Sequence, residues 1–250
     1  MIGISTLAFS NTDLETALSA VEQMTKAKHA EIFSEGIHDV IHSENSEILS
    51  SYALSYSIHA PTLDVNLAAA RETIRKTGLE IIQDSAEFCM NRDIEILVVH
   101  PGYAADKETL PQAYKSFEKS IPGLQKIKEE TGVRICIENM PDADIYLFRN
   151  PDDINLIETA GLEFILDIGH AHTTENLKEF LQNEIAHYHI HDNGGDFDSH
   201  FGFGDGTIGH FCLEQIVKKA KKDKAILIAE NKTIEGAVKT YEALKKAGAD

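Results

Sequence analysis

Cysteine is scarce in this chain. Cys89, Cys136 and Cys212 stand far apart and form no Cys-x-x-Cys pair. That excludes a disulfide scaffold and a thiolate zinc site, and it reads as a reduced, cytoplasmic protein. No run of about 18 consecutive apolar residues occurs, so no membrane span is expected. No basic segment followed by an apolar core opens the sequence, as a secretory leader would. Arginine is sparse too, with five residues among 23 basic ones, set against 41 acidic ones. The formal net charge of −18 lacks the broad basic footprint of a nucleic-acid binder and counts against nucleic acid as a partner. No Gly-x-Gly-x-x-Gly follows the first apolar run, which counts against a dinucleotide-binding sheet. No low-complexity linker divides the 250 residues, so a single domain over 1–250 is expected.

What the chain does have is alternation. Short apolar runs suited to strands fall at residues 2–6, 30–34, 54–59, 94–100, 133–138, 162–167, 185–191 and 225–230. Between and after them apolar residues recur at helical spacing, most clearly over 69–91, 110–131, 210–221 and 234–246, with Pro122 a candidate restart inside the second of these. Weaker helical patterns cover 46–52, 151–159 and 175–182. Strand–helix alternation implies a parallel sheet, and eight strands, each followed by a helix, predict an α/β fold closed as a (β/α)8 TIM barrel.

The chemistry-bearing residues sit at the ends of these strands. His187, His189 and His191 occupy alternate positions of one strand and so share a face, with Tyr188 and Ile190 on the other. His59, His100, Glu138, Asp167 and Glu230 end strands 3, 4, 5, 6 and 8. His170 follows Asp167 by three residues, and Asp198 and His200 follow strand 7. In a barrel the C-terminal strand ends form one rim, where active sites sit. Six successive strands thus end in a metal-type side chain, and none of those ends carries Lys or Arg. Imidazole and carboxylate without thiolate suit zinc, manganese, iron, cobalt or magnesium, with zinc or manganese expected. Glu138, Asp167, Asp198 and Glu230 bring four negative charges together, more than one divalent ion balances, so one to three ions are expected, with more than one favoured. His29, His38, His42, His172 and His210 are expected to be structural or exposed.

The strand-end pattern resembles the xylose isomerase-like TIM barrels, also called AP endonuclease family 2, over essentially the whole chain. The motifs that carry the resemblance are His59-Ala-Pro, Val-His100-Pro-Gly, Ile-Glu138-Asn, Leu-Asp167-Ile-Gly-His170, His189-Ile-His191-Asp192, Asp198-Ser-His200 and Ala-Glu230-Asn. The resemblance implies nine metal ligands, His59, His100, Glu138, Asp167, His170, His189, Asp198, His200 and Glu230, matching those that hold three zincs in endonuclease IV. Family spacing favours His189 over His191 as the strand-7 ligand, because Asp192 then falls in place. Glu138, Asp167, His189 and Glu230 match the smaller set of the sugar isomerases and epimerases. Two departures weigh against DNA cleavage: Asp142 and Asp144 follow the strand-5 glutamate, and Thr62-Leu63 lacks the aromatic of the DNA-penetrating wedge.

The expected activity is a divalent-metal-dependent isomerase or epimerase of a sugar or sugar phosphate, with Glu138 and Glu230 as catalytic acid and base. His191 and Lys232 are expected to contact substrate. The loop Gly202-Phe-Gly-Asp-Gly206, leading to a helix start near His210, offers N–H groups for a phosphate, although Asp205 opposes this and a plain loop is favoured. The alternative is an endonuclease IV-like trinuclear-zinc phosphodiesterase. A second alternative is a barrel that binds metal or a small molecule without turnover.

Overall fold

A computed structural model describes residues 1–41 and 44–250 of the chain. Eight parallel strands close in chain order into one barrel: β1 (Ile2–Ser5), β2 (His29–Phe33), β3 (Ser55–His59), β4 (Ile96–Val99), β5 (Arg134–Glu138), β6 (Glu163–Asp167), β7 (His187–Ile190) and β8 (Ile226–Ala229), with β8 pairing back onto β1. The α-helices are α1 (Leu14–Ala20), α2 (Glu72–Met90), α3 (Leu110–Glu118), α4 (Ile121–Thr131), α5 (Asn155–Glu158), α6 (Ile168–Thr173), α7 (Leu177–Phe180), α8 (His210–Asp223) and α9 (Ile234–Lys246). The fold is a (β/α)8 barrel, as the alternation predicts. No helix is long and apolar enough to cross a membrane among the described residues.

Two local expectations need correcting, and the restart near Pro122 within 110–131 is met. No α-helix follows β2 among the described residues, only the 3-10 turns Gly36–His38 and Glu44–Ser51, and the second of these occupies the place of the helix expected at 46–52. The expectation for His42 falls outside the described residues. The helical pattern over 110–131 is two helices, broken ahead of Pro122, which sits in the first turn of α4 where a missing N–H leaves no bond unmade. The helix expected at 175–182 shrinks to α7, because Glu175 takes a left-handed φ of 59° and interrupts the path from α6. In its place α6 springs directly from β6. Asp167, the last residue of that strand, caps it by accepting the His170 N–H at 2.7 Å. The Asp-x-x-His spacing is thus a helix cap that places an imidazole one turn above a carboxylate.

Period-2 alternation divides the core. Leu97, Val99, Ile135, Ile137 and Leu166 belong to the large apolar cluster under the helices, together with Tyr188 and Ile190. Ile96, Val98, Cys136 and Ile165 form a small separate cluster in the lumen. Toward the mouth the lumen carries a polar layer: Glu31, Ser57, His59, Glu138, Asp167, His187 and His189 are all buried. Barrel lumens are ordinarily filled by branched apolar side chains, so this polar layer needs partners for every group.

Candidate metal centre

Glu138, at the end of β5, stands at the middle of the mouth. Its Oε2 faces His59 Nε2 at 3.2 Å and His100 Nε2 at 3.1 Å, while its Oε1 faces His189 Nδ1 at 2.9 Å. His189 Nδ1 also lies 3.2 Å from Glu230 Oε2 and 3.8 Å from Asp167 Oδ2. Two donor groups therefore adjoin and share Glu138: one with His59 and His100, the other with Asp167, His189 and Glu230. A third group holds His170, His191, Asp198 and His200, with Asp198 Oδ2 at 2.9 Å from His200 Nε2 and 3.5 Å from His170 Nε2. Within each group the donor atoms lie within 4.8 Å of one another. Only the side chains of His100, 24% exposed, and Asp198, 21% exposed, open to solvent to any extent, which marks the way in.

Backbone register brings these side chains together. Asp167 pairs with His189 across β6 and β7, and the Glu230 N–H donates to the Ile190 carbonyl at 3.1 Å just past β7 and β8. Beyond β7, Asp192 and Phe201 exchange two backbone hydrogen bonds at 3.0 and 2.9 Å. That bridge folds the 198–200 turn back over the mouth, and His200 takes a left-handed φ of 51° within it.

The second nitrogen of each ring shows what these groups fit. His59 Nδ1 faces the Ala60 carbonyl at 2.9 Å, His170 Nδ1 the Asn139 carbonyl at 2.8 Å, and His200 Nδ1 the Glu230 carbonyl at 2.9 Å. A carbonyl only accepts, so each Nδ1 carries the proton and each neutral ring turns a bare Nε2 lone pair toward a carboxylate. Lone pair against carboxylate is repulsive unless a proton or a cation lies between them. Asp198 Oδ1 is also buried with no hydrogen-bond partner. The ion-pair partners of Glu138, Asp167, Asp198 and Glu230 are all histidines. A donor set of this kind fits divalent cations.

Protons do the same work when ions are absent. Burial pushes the His189 ring down, but Glu230, Glu31 and Glu138 outweigh it and hold His189 well above the ordinary range. Burial likewise opposes Asp167 and Asp198 at His170, and the two carboxylates win. Burial raises Glu138, yet His189 and His100 hold it well below its usual range, and His170 and His191 bring Asp167 down to about 2 against the same opposition. The sign follows directly. Histidines raised above 6.5 lend stability that is complete below pH 6.5 and lost as pH rises through their folded values. Chelator-treated protein is therefore expected to melt lower at pH 9 than at pH 6. Metal uptake must displace those protons, so loaded protein should lose ions as pH falls, and calorimetry in buffers of different ionisation enthalpy should register proton release. Uptake without proton release would contradict the protonated apo state.

The other expected residues fall as follows. His191 is fully buried, its ring stacked on His200 with centroids 3.9 Å apart and its Nε2 at 3.0 Å from Asp167. The ring lies against Gly169, where an added Cβ would meet its Cε1 at 1.9 Å, so the glycine of Asp-Ile-Gly-His makes room for it. Lys232 reaches the rim and donates to the Asp198 carbonyl at 2.9 Å. In the 202–206 loop, read in sequence as a plain loop in preference to a phosphate site, the buried Asp192 carboxylate takes the Gly204 N–H at 2.8 Å, and just beyond it the Ile208 N–H at 3.1 Å. Asp142 and Asp144 pair with Arg149 and Lys107. His29, His38 and His172 bond to Ser55 and Ser57, to the Thr12 carbonyl and to Thr207 respectively, and the His210 ring packs beside Phe203.

Sequence reasoning missed Glu31. This carboxylate lies fully buried in the lumen, 2.6 Å from His189 Nε2 and 2.8 Å from His187 Nε2. The available signal was an acid at an inward position of an apolar strand, His29-Ala-Glu-Ile-Phe33, with no cation beside it in sequence.

Comparison with known proteins agrees with this architecture. The family model described as xylose isomerase-like TIM barrel matches residues 15–247. An uncharacterized protein of Methanocaldococcus jannaschii is 39% identical over 250 residues, 98% of each chain. The crystal structure of a D-tagatose 3-epimerase-like protein superposes with a TM-score of 0.88 at 30% identity, covering 98% of this chain and 96% of that one. A probable endonuclease 4 of Mycobacterium leprae is 28% identical over 192 residues, 70% of this chain and 73% of the relative.

Proposed function

Because the chain belongs to the xylose isomerase-like TIM barrel family, we propose that its mouth is a multinuclear divalent-metal centre and that the protein hydrolyses a phosphoester. Glu138 carries this reading. Its two oxygens face two different donor groups, so this one carboxylate could serve two ions. Divalent ions held there, zinc or manganese, would supply Lewis-acid polarisation of a phosphoryl oxygen and activation of water, the work of two-metal sites in phosphatases and nucleases. The chain's own residues prepare that work. Glu138, Asp167 and Glu230 supply the negative charge, His59, His100 and His189 supply lone pairs, and half-open His100 leaves the approach from solvent. Lys232, at the rim, meets the phosphate. The net charge of −18 and the rim acids Asp142 and Asp144 favour a small phosphoester over duplex DNA. The relative named endonuclease 4 fits the same chemistry.

Isomerase or epimerase action on a sugar or sugar phosphate is the second reading. It is favoured by Glu138 and Glu230 lying on either acceptor contact of His189 Nδ1, at 2.9 and 3.2 Å, in a four-donor group that could serve one ion alone. The likeness to a D-tagatose 3-epimerase-like protein points the same way. Metal-loaded protein assayed on bis-p-nitrophenyl phosphate, on abasic-site duplex and for solvent-proton exchange into ketoses separates the two. Metal-dependent phosphodiester cleavage is expected. Exchange into a ketose without any cleavage would replace this reading by the second.

A further inference from the structure

Glu31 is an expensive residue to keep where it is. It lies in the middle of β2 in the barrel lumen, fully buried, and its ion-pair partners are two histidines. A carboxylate so placed must be saturated with donors or it destabilises the fold. Three converge on it: His189 Nε2 at 2.6 Å on Oε1, and His187 Nε2 and the Ser57 hydroxyl, each at 2.8 Å, on Oε2. The donors are themselves supported. Ser57 gives its proton to Glu31, so His29 Nε2–H, 3.0 Å away, donates to the serine oxygen. His29 Nδ1 in turn faces the Ser55 hydroxyl at 2.9 Å. Burial and the nearby His187 push His29 down to about 3, so this ring is neutral, and the Ser57 contact places its proton on Nε2. His187 spends its single hydrogen bond on Glu31, and its Nδ1 is left buried with no partner.

The consequence falls on His189. With Nε2–H committed to Glu31, the nitrogen left to exchange its proton for a cation is Nδ1, which is the one aimed at Glu138, Asp167 and Glu230. We propose that Glu31 is a positioning residue: with His187 and Ser57 as buttresses, it fixes the tautomer and orientation of His189 so that Nδ1 is offered to the ion held by Glu138, Asp167 and Glu230. Metal-bound imidazoles generally donate their second N–H to such a carboxylate, which raises their basicity as ligands. This inference rests on the metal reading of the mouth. It also gives the row of alternating histidines a division of labour, with His189 holding the ion and His187 holding the residue that holds His189.

Glu31→Gln tests it, because glutamine keeps the volume but has one acceptor oxygen for two imidazole N–H groups. Zinc affinity is measured by chelator competition on the full chain, and 15N-labelled histidine reports which ring nitrogen binds cadmium. Expected is a loss of about 10–100-fold in affinity for one ion, with the others unchanged, and a His189 signal no longer confined to Nδ1 coordination. Glu31→Asp, which keeps the charge at shorter reach, should recover part of the affinity. Should Glu31→Gln fail to fold, the wild-type cadmium spectrum alone decides, since Nε2 coordination of His189 overturns the inference. Wild-type affinity and an unchanged nitrogen pattern in both variants overturn it as well, while leaving the metal centre standing. A wild-type protein that takes up no ion overturns the metal reading first, and this inference with it.

Discussion

Glu138→Gln is expected to release two ions rather than one and to lower kcat/KM for phosphoester cleavage by about 10³-fold or more, in line with the several kcal/mol that metal polarisation contributes to such transition states. The substitution keeps shape and removes one oxygen and the charge. Oε2 lies within 3.2 Å of both His59 and His100, and Oε1 faces His189 Nδ1 at 2.9 Å. Without it the His59–His100 group has no carboxylate at all, and the Asp167–His189–Glu230 group drops from four donors to three. The contrast with the isomerase reading lies in a companion variant. If one ion sits among Glu138, Asp167, His189 and Glu230, then His59→Asn should leave metal content unchanged. If Glu138 is shared, His59→Asn should lose one ion and retain the rest. Elemental analysis of both variants after dialysis checks this, and equal metal content in wild type and His59→Asn would remove the reason for preferring hydrolysis.

The second large effect is on stability. Asp192 is fully buried, and its carboxylate accepts the N–H groups of Asn193 at 3.0 Å, Gly204 at 2.8 Å and Ile208 at 3.1 Å. The loop closes on it so tightly that a Cβ at Gly206 would stand 2.3 Å from its Oδ1. Its backbone also pairs with Phe201, which anchors the turn bearing Asp198 and His200. Asp192→Ala strips three N–H groups of their acceptor. At about 1–3 kcal/mol for each unsatisfied group, partly relieved by water, the expected cost is roughly 3–5 kcal/mol. For a chain of this size that corresponds to a melting point lower by about 10 °C. The same variant should lose the ion held by His170, Asp198 and His200 while keeping those around Glu138. A melting point within about two degrees of wild type would show that the loop is held by something else.

The fold was legible because its signals are local. Eight apolar runs and helical spacing between them are enough for a barrel, and β7 shows the strand period directly, with Tyr188 and Ile190 under the helices and His187 and His189 in the lumen. The mouth was legible for a different reason: a barrel gathers all its strand ends, so His59, His100, Glu138, Asp167 and Glu230 needed no knowledge of register to be placed together. Where register or tertiary contact decides, the sequence is silent. His187 and His191 share one face by the strand period, yet one reaches Glu31 in the lumen and the other packs on Gly169 beyond the strand. Glu31 is separated from His189 by 158 positions and belongs to no motif, so only the closed barrel shows their contact. Asp192 reads as one more acid beside a candidate ligand, and its role as the acceptor for a loop comes from backbone N–H groups that no residue type announces. The 3-10 turn Glu44–Ser51 in place of an expected helix follows the same rule, since a weak helical pattern at 46–52 does not say whether the turn closes as α or 3-10.

Sharing of Glu138 between two ions is best tested by anomalous diffraction at the zinc edge from crystals grown with zinc and without chelator. Two peaks about 3.5–4 Å apart on either side of the Glu138 carboxylate are expected, the spacing of two-metal sites, together with a third beside Asp198. A single peak among Glu138, Asp167, His189 and Glu230, with His59 and His100 unliganded, would contradict the account.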